Sequence, residues 1–460
     1  MEEMDLILKN GTIVTAETSF CGTIGIKDEK IAFITTSDTI DFPAKHTLDL
    51  SGLHILPGVI DPHIHFQDPG YTEREDFEHA TLAAASGGIT TVLSQPLDNP
   101  PTTSISAYHI KEDAYRNHSY LDYGIHAGAT ADNIDELEAI WNTTGATAIK
   151  MFMCFSVVEF PFVDDEAMLK ILKILAKNQA LALIHCENNA ILNIREAELK
   201  AEGRKDPMAY NLSHPKEAEI EAIRRAIYFL EITGAEAVIL HVSTAEGLKL
   251  IHEAKERGVK VWSESAPHFY HFIDTDIQQI GPFLKCSPVM HDADNRDEMW
   301  KLFSMGYLDT IGSDHSPYTY DEKACAINDI WKAPNGITGL ETSLAVFLDG
   351  VNRGKITLNQ LVRASSYNTA QIYGLYPQKG IICPGSDADF AIVDMNLEKT
   401  FTKENIFCKC GWSPYVGETL KGWPVMTILR GTVIFCDNKV QVPLGYGKYI
   451  ERKKEKEDSL

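Results

Sequence analysis

His63 and His65 close an apolar run (Ile55, Leu56, Val59, Ile60) and are separated by a single residue. Side chains alternate faces along a β-strand, so a His-x-His pair at a strand end points both imidazoles the same way. Two such rings are placed to hold one metal ion. Four more residues carry a similar mark. Lys150 sits inside the apolar segment Thr147–Met153, His185 follows Leu183-Ile184, His241 follows Val238–Leu240, and Asp314 follows Thr310–Ser313. Singly, each has an ordinary explanation: a hydrogen-bonded structural histidine, a lysine snorkelling to solvent, an aspartate capping a helix. Together they describe a metal-dependent site. Four neutral imidazoles and a carboxylate suit Zn²⁺ or a similar divalent ion. As an ammonium, Lys150 ligates nothing. Deprotonated by burial, its amine adds carbon dioxide to give a carbamate, an anionic bridge between two metals roughly 3.5–4 Å apart. Such a centre is expected to attack an amide carbonyl with a metal-bridging hydroxide. Asp314 would serve as general acid/base, taking the proton and passing it to the leaving nitrogen.

These residues need a scaffold that gathers strand ends. Between residues 56 and 380, apolar strand candidates fall at 56–65, 89–94, 123–129, 147–153, 181–186, 236–242, 259–264 and 309–313. Helical patterns alternate with them at 75–86, 133–142, 165–177, 215–231, 245–257 and 294–304. In 165–177, Met168, Ile171, Leu172, Ile174 and Leu175 share one face at the 3.6 period. About eight strands alternating with helices predict an α/β fold of the TIM (β/α)8-barrel type, with a doubly wound open sheet as the alternative. In the barrel, chemistry belongs at the C-terminal strand ends, where these residues fall. Both ends of the chain instead read as short strands. Residues 1–55 and 381–450 are expected to form one small β-sandwich domain, beside a hydrolase barrel over 56–380 and a charged tail over 451–460. Within it, Lys9-Asn10-Gly11 predicts a hairpin turn and the charged stretch Lys27–Lys30 a turn between strands, while Arg430-Gly431 precedes the strand candidate Thr432–Phe435.

Composition narrows the partners. The chain has 460 residues, 44% hydrophobic and 23% charged, as in a soluble globular protein. Its 42 basic and 65 acidic side chains give a net charge of −23, which disfavours nucleic acid and anionic membrane surfaces. Nine scattered cysteines without a CxxC pair read as reduced thiols. The acidic start has no signal-peptide pattern and no apolar run is long enough to span a bilayer. A cytoplasmic enzyme is the expectation.

The segments Pro57–His65, Gly87–Thr91, Lys150–Met153, His185–Asn188, His241–Ser243, Ser313–Pro317 and Pro384–Asp389 resemble, almost end to end, the cyclic-amide hydrolases of the amidohydrolase superfamily: dihydroorotases, allantoinases and hydantoinases or dihydropyrimidinases. The resemblance implies two zinc ions per subunit. His63, His65 and Asp314 would hold one, His185 and His241 the other, with carboxylated Lys150 between them. It implies a small cyclic amide as substrate and a homo-oligomer, dimer or tetramer. A non-catalytic scaffold protein of hydantoinase type is the rival reading, but the family's ligands are all present. Dihydroorotases carry an arginine where this chain has Gln67, so a fork for a substrate carboxylate is missing there. The Gln95–Thr103 segment, with Asn99, resembles allantoinases. Hydantoinases use a tyrosine where this chain has Phe155, which donates no hydrogen bond. Ala333–Gly336 and the segment from Trp412 to Val425 are hydantoinase-like, and Ser287 and Asn335 match positions that hold substrate in that group. A ureide or hydantoin ring is expected, allantoin first.

Overall fold

Eight apolar segments of the central region become parallel strands. The structure, a computed structural model, describes residues 3–37 and 42–452. The strands are Val59–Ile64, Ile89–Ser94, Asp122–Ile125 with its continuation Ala127–Gly128, Ile149–Phe152, Leu181–His185, Glu236–Ile239, Val261–Ser265 and Thr310–Ile311. Each pairs in parallel with the next. The circle closes where the chain after the eighth strand returns to the first. The His65 N–H donates to the His315 carbonyl at 2.8 Å, and the Ser313 N–H donates to Asp61 Oδ1 at 3.0 Å. This is a closed TIM-type barrel, not an open sheet. Gly312 permits the closure, because a Cβ there would stand 2.6 Å from His63 Cβ.

The expected helices form the outer ring. Asp165–Lys177 is representative: Asp164 caps it by accepting from the Ala167 N–H, and Met168, Ile171, Leu172 and Leu175 are buried. Helix Ile105–Tyr115 has no counterpart in the hydrophobic pattern. Its buried side chains include Lys111 among Ala107, Tyr108 and Tyr115, which breaks the apolar stripe.

The chain ends supply the second, β-rich part. Strands from both ends join in one nine-stranded sheet whose middle is the antiparallel pairing of His54–Pro57 with Phe390–Val393. Its two halves share an apolar cluster that includes Leu6, Leu8, Ile13, Ile24, Ile55, Phe390, Ile392 and Ile428. Lys27–Lys30 turns as expected, in a hairpin, and Arg430-Gly431 joins a second antiparallel pair. Lys9-Asn10-Gly11 does not turn a hairpin. Met4–Val14 is a single strand, and Asn10, at φ 64°, sits in a bulge that shifts the register between Leu8 and Gly11. An asparagine that tolerates positive φ serves a bulge as readily as a turn. Of the charged tail, Arg452 lies over the Trp141 ring at 3.5 Å; residues 453–460 lie outside those described.

A buried ion cluster ties the sheet to the barrel. Lys379 Nζ donates to Asp122 at 2.6 Å and Asp389 at 2.7 Å and pairs with Asp387 at 2.9 Å, while Arg430 also pairs with Asp122. Removing one partner from such a cluster leaves buried charges uncompensated. Lys379→Met is therefore expected to cost roughly 3–5 kcal/mol, read as a lowered urea-denaturation midpoint. An unchanged midpoint would refute the tie.

Candidate active site

The six candidate residues meet inside one end of the barrel. His63 Nε2 lies 3.3 Å from Lys150 Nζ and 3.2 Å from Asp314 Oδ1, and His65 Nε2 lies 3.6 Å from the same oxygen. His63, His65 and Asp314 each offer a ligand atom within 4.8 Å of the other two. His185 Nδ1 and His241 Nε2 stand 2.9 Å apart, and the His63 and His241 rings are 5.3 Å apart. The strands end by turning sharply. Gln67, His241 and Asp314 adopt positive φ of 60°, 35° and 50°. Left-handed backbone at non-glycine residues is uncommon and collects at functional sites.

A layer of carboxylates orients the rings. His63 Nδ1 meets Glu264 Oε1 at 2.5 Å, and His185 Nε2 meets Glu187 Oε2 at 2.8 Å. A proton on each of these nitrogens leaves His63 Nε2 and His185 Nδ1 as lone-pair donors facing the cluster. Glu187 also accepts from the Ser287 hydroxyl at 2.6 Å, joining a ring of the cluster to the cavity wall. Glu264 and Glu187 had no role in the sequence reading. The one available signal was a charged residue at the end of each apolar strand.

Burial governs the protonation states. Desolvation, reinforced by Lys150, holds His63 well below the ordinary imidazole range. Burial brings His65 down to about 4. Burial and His185 hold His241 well down. Burial lowers Lys150 to about 8, against the pull of Asp314 and Glu264. Desolvation would raise Asp314, but His63 and His65 hold it well below the usual carboxylate range. Desolvation pushes Glu264 well up, opposed chiefly by Lys150. The cluster thus offers neutral imidazoles at His63, His65 and His241, a charged carboxylate and a lysine with an accessible free amine. That is the donor chemistry a divalent cation requires.

Above the cluster opens a cavity of about 460 Å³. His65, Lys150, His185, His241 and Asp314 line it, as do Gln67, Ser287 and Asn335 among the expected substrate contacts. Two expected contacts are not there. Asn99 is exposed, with its Cβ and backbone close-packed against Gly70. Phe155 is 58% exposed; its N–H donates to Asn189 Oδ1, and the wall is made by Ser156 and Val157 instead. Arg74 enters the wall unannounced. Its guanidinium lies between the rings of Tyr71 and Tyr318, 4.5 and 4.6 Å from their centroids, and pairs with Glu322.

A protein-family model described as the amidohydrolase family matches residues 54–434. The chain belongs to the amidohydrolase family. This amidohydrolase is 35% identical to the L-hydantoinase of Paenarthrobacter aurescens, covering 98% of each chain. It is 35% identical to the allantoinase of Deinococcus radiodurans, covering 94% of this chain and 95% of that one. Among solved structures, the L-hydantoinase (dihydropyrimidinase) from Arthrobacter aurescens matches with a TM-score of 0.95 at 34% identity, covering 98% of this chain and 100% of that one. A D-hydantoinase matches at 0.91 and 32% identity, covering 98% and 100%. These relatives put the amidohydrolase in the cyclic-amide hydrolase branch.

In this amidohydrolase, the 2.5 Å contact of Glu264 with Nδ1 holds the His63 ring in place. Glu264→Gln is expected to weaken divalent-metal binding about 10–100-fold, measured by titrating metal into chelator-stripped protein. Unchanged affinity would show that the carboxylate does not orient the ring.

Proposed function

We propose that the protein is a binuclear zinc hydrolase that opens a cyclic ureide or hydantoin ring, allantoin first. The observation that carries this reading is the convergence of His63, His65, His185, His241, Asp314 and Lys150 beneath one cavity. His63, His65 and Asp314 would hold one ion and His185 and His241 the other. Lys150 fits the bridging role because burial lowers it to about 8, which leaves roughly a tenth of it as free amine at pH 7. That amine can add carbon dioxide. Bound there, the ions would supply a Lewis acid for the carbonyl and a water acidic enough to react near neutral pH.

The chain's own residues do the rest. Asp314, held ionised by His63 and His65, accepts the proton of the attacking water and returns it to the ring nitrogen as the C–N bond breaks. Water adds across that bond, giving a carboxylate and a freed nitrogen. The Ser287 hydroxyl, held by Glu187, and Asn335 flank the cavity where the ring would lie. Relatives named L-hydantoinase and allantoinase support the class of ring.

Ring opening by zinc-supplied protein should be fastest on allantoin in a panel with hydantoin, dihydrouracil and dihydroorotate. Turnover of none would refute the assignment. Lys150→Ala is expected to lower kcat/KM on the order of 10³-fold, a loss of several kcal/mol of transition-state stabilisation, and to reduce zinc below two per chain by elemental analysis. Retained activity would remove the bridge from the mechanism.

A further inference from the structure

Arg74 occupies a constrained position for a residue of the cavity wall. Its Nη2 donates to Glu322 Oε1 at 2.7 Å and its Nε at 2.9 Å. Glu322 is itself held, accepting from the Thr319 N–H at 2.8 Å and hydroxyl at 3.0 Å. The two tyrosine rings clamp the faces of the guanidinium. One edge is left over: Nη1, 3.5 Å from the Gln67 amide oxygen, two residues past His65. Stacking and a fixed fork make this a preorganised donor rather than a mobile surface charge.

We infer that Arg74 and Gln67 read a neutral ureido group on the ring, so that Arg74 sets specificity for the substituent. This rests on the cyclic-amide reading above. The argument is one of charge and donor count. Glu322 neutralises Arg74, so the free edge offers hydrogen bonds without net positive charge. Glu159 lines the same cavity and adds negative charge. Lys285, another cation of the wall, already donates to the Ile330 and Ala333 carbonyls at 3.0 and 2.6 Å. Beside Arg74, a carboxylate substituent would meet a guanidinium already paired with Glu322 and would face the Glu159 carboxylate. A ureido group offers a carbonyl oxygen for Nη1 and N–H groups for the Gln67 oxygen or the Glu159 carboxylate. An apolar substituent would desolvate Nη1 and the Gln67 amide with nothing in return, and buried polar groups left unpaired are costly.

The test compares kcat and KM of zinc-loaded wild type, Arg74→Met and Glu322→Gln on hydantoin, which has no substituent, on allantoin, which carries the ureido group, and on dihydroorotate, which carries a carboxylate. Arg74→Met is expected to raise KM for allantoin about 10–100-fold more than for hydantoin, the scale of one charge-assisted hydrogen bond. Glu322→Gln keeps the shape of the wall and releases the Arg74 charge. It should shift preference from allantoin toward dihydroorotate. Equal losses on hydantoin and allantoin in Arg74→Met, or no shift in Glu322→Gln, would overturn the inference and leave the ring-opening reading intact. So would a wild type that prefers dihydroorotate. Wild-type inactivity on all three rings would overturn both.

Discussion

The first and eighth strands of the barrel meet along a seam, and the rest of the site depends on how tightly that seam closes. Gly312 has no side chain to hold the two backbones apart. Asp61, buried between them, accepts from the His63 and Ser313 N–H groups at 3.1 and 3.0 Å, and the Ser313 hydroxyl donates to the His63 carbonyl. Burial raises the Asp61 carboxyl to about 6 against those hydrogen bonds. The seam therefore spends a buried acid to fix the relative height of His63 and Asp314. Residues 251 positions apart in the chain become a pair 3.2 Å apart.

From that closure follows an interior dry enough to control charge. In water, a histidine near neutral pH is partly protonated and a lysine wholly so. Inside the barrel mouth the same groups lose hydration, and the charged forms of imidazole and amine become the costly ones. Asp314 escapes this fate because two imidazoles face it. Glu264 and Glu187 orient the rings from behind. Desolvation thus prepares the imidazoles and the amine, and the facing imidazoles keep the carboxylate ionised against it.

Much of this was legible in the sequence, for reasons that can be stated. His63, His65, Lys150, His185, His241 and Asp314 each interrupt or end an apolar run, and the barrel turns that one-dimensional pattern into a common location. The helix at 165–177 carried its own period. The residues that escaped notice act through partners distant in the chain: Arg74 with Glu322, Glu264 with His63, Lys379 with Asp122. No local pattern marks such pairs. Asn99 and Phe155 failed in a different way. Both lie on loops beside the cavity, and loop backbone turned Asn99 outward against Gly70 and let Ser156 and Val157 take the wall in place of Phe155. Asn10-Gly11 shows the limit of turn chemistry, since positive φ serves bulge and hairpin alike.

The sheet built from both chain ends has a consequence for biosynthesis. Its central pairing joins His54–Pro57 to Phe390–Val393, so the first strands emerge from the ribosome more than 330 residues before their partners. At about 5–20 residues per second, that is a wait of roughly 15–70 s. During it, Ile55 and its neighbours in the apolar cluster present an unpaired edge, the kind of surface that recruits chaperones or aggregates. Completion of the sheet then reports that the whole barrel has been made, and a chain terminated early would advertise its own incompleteness to quality control.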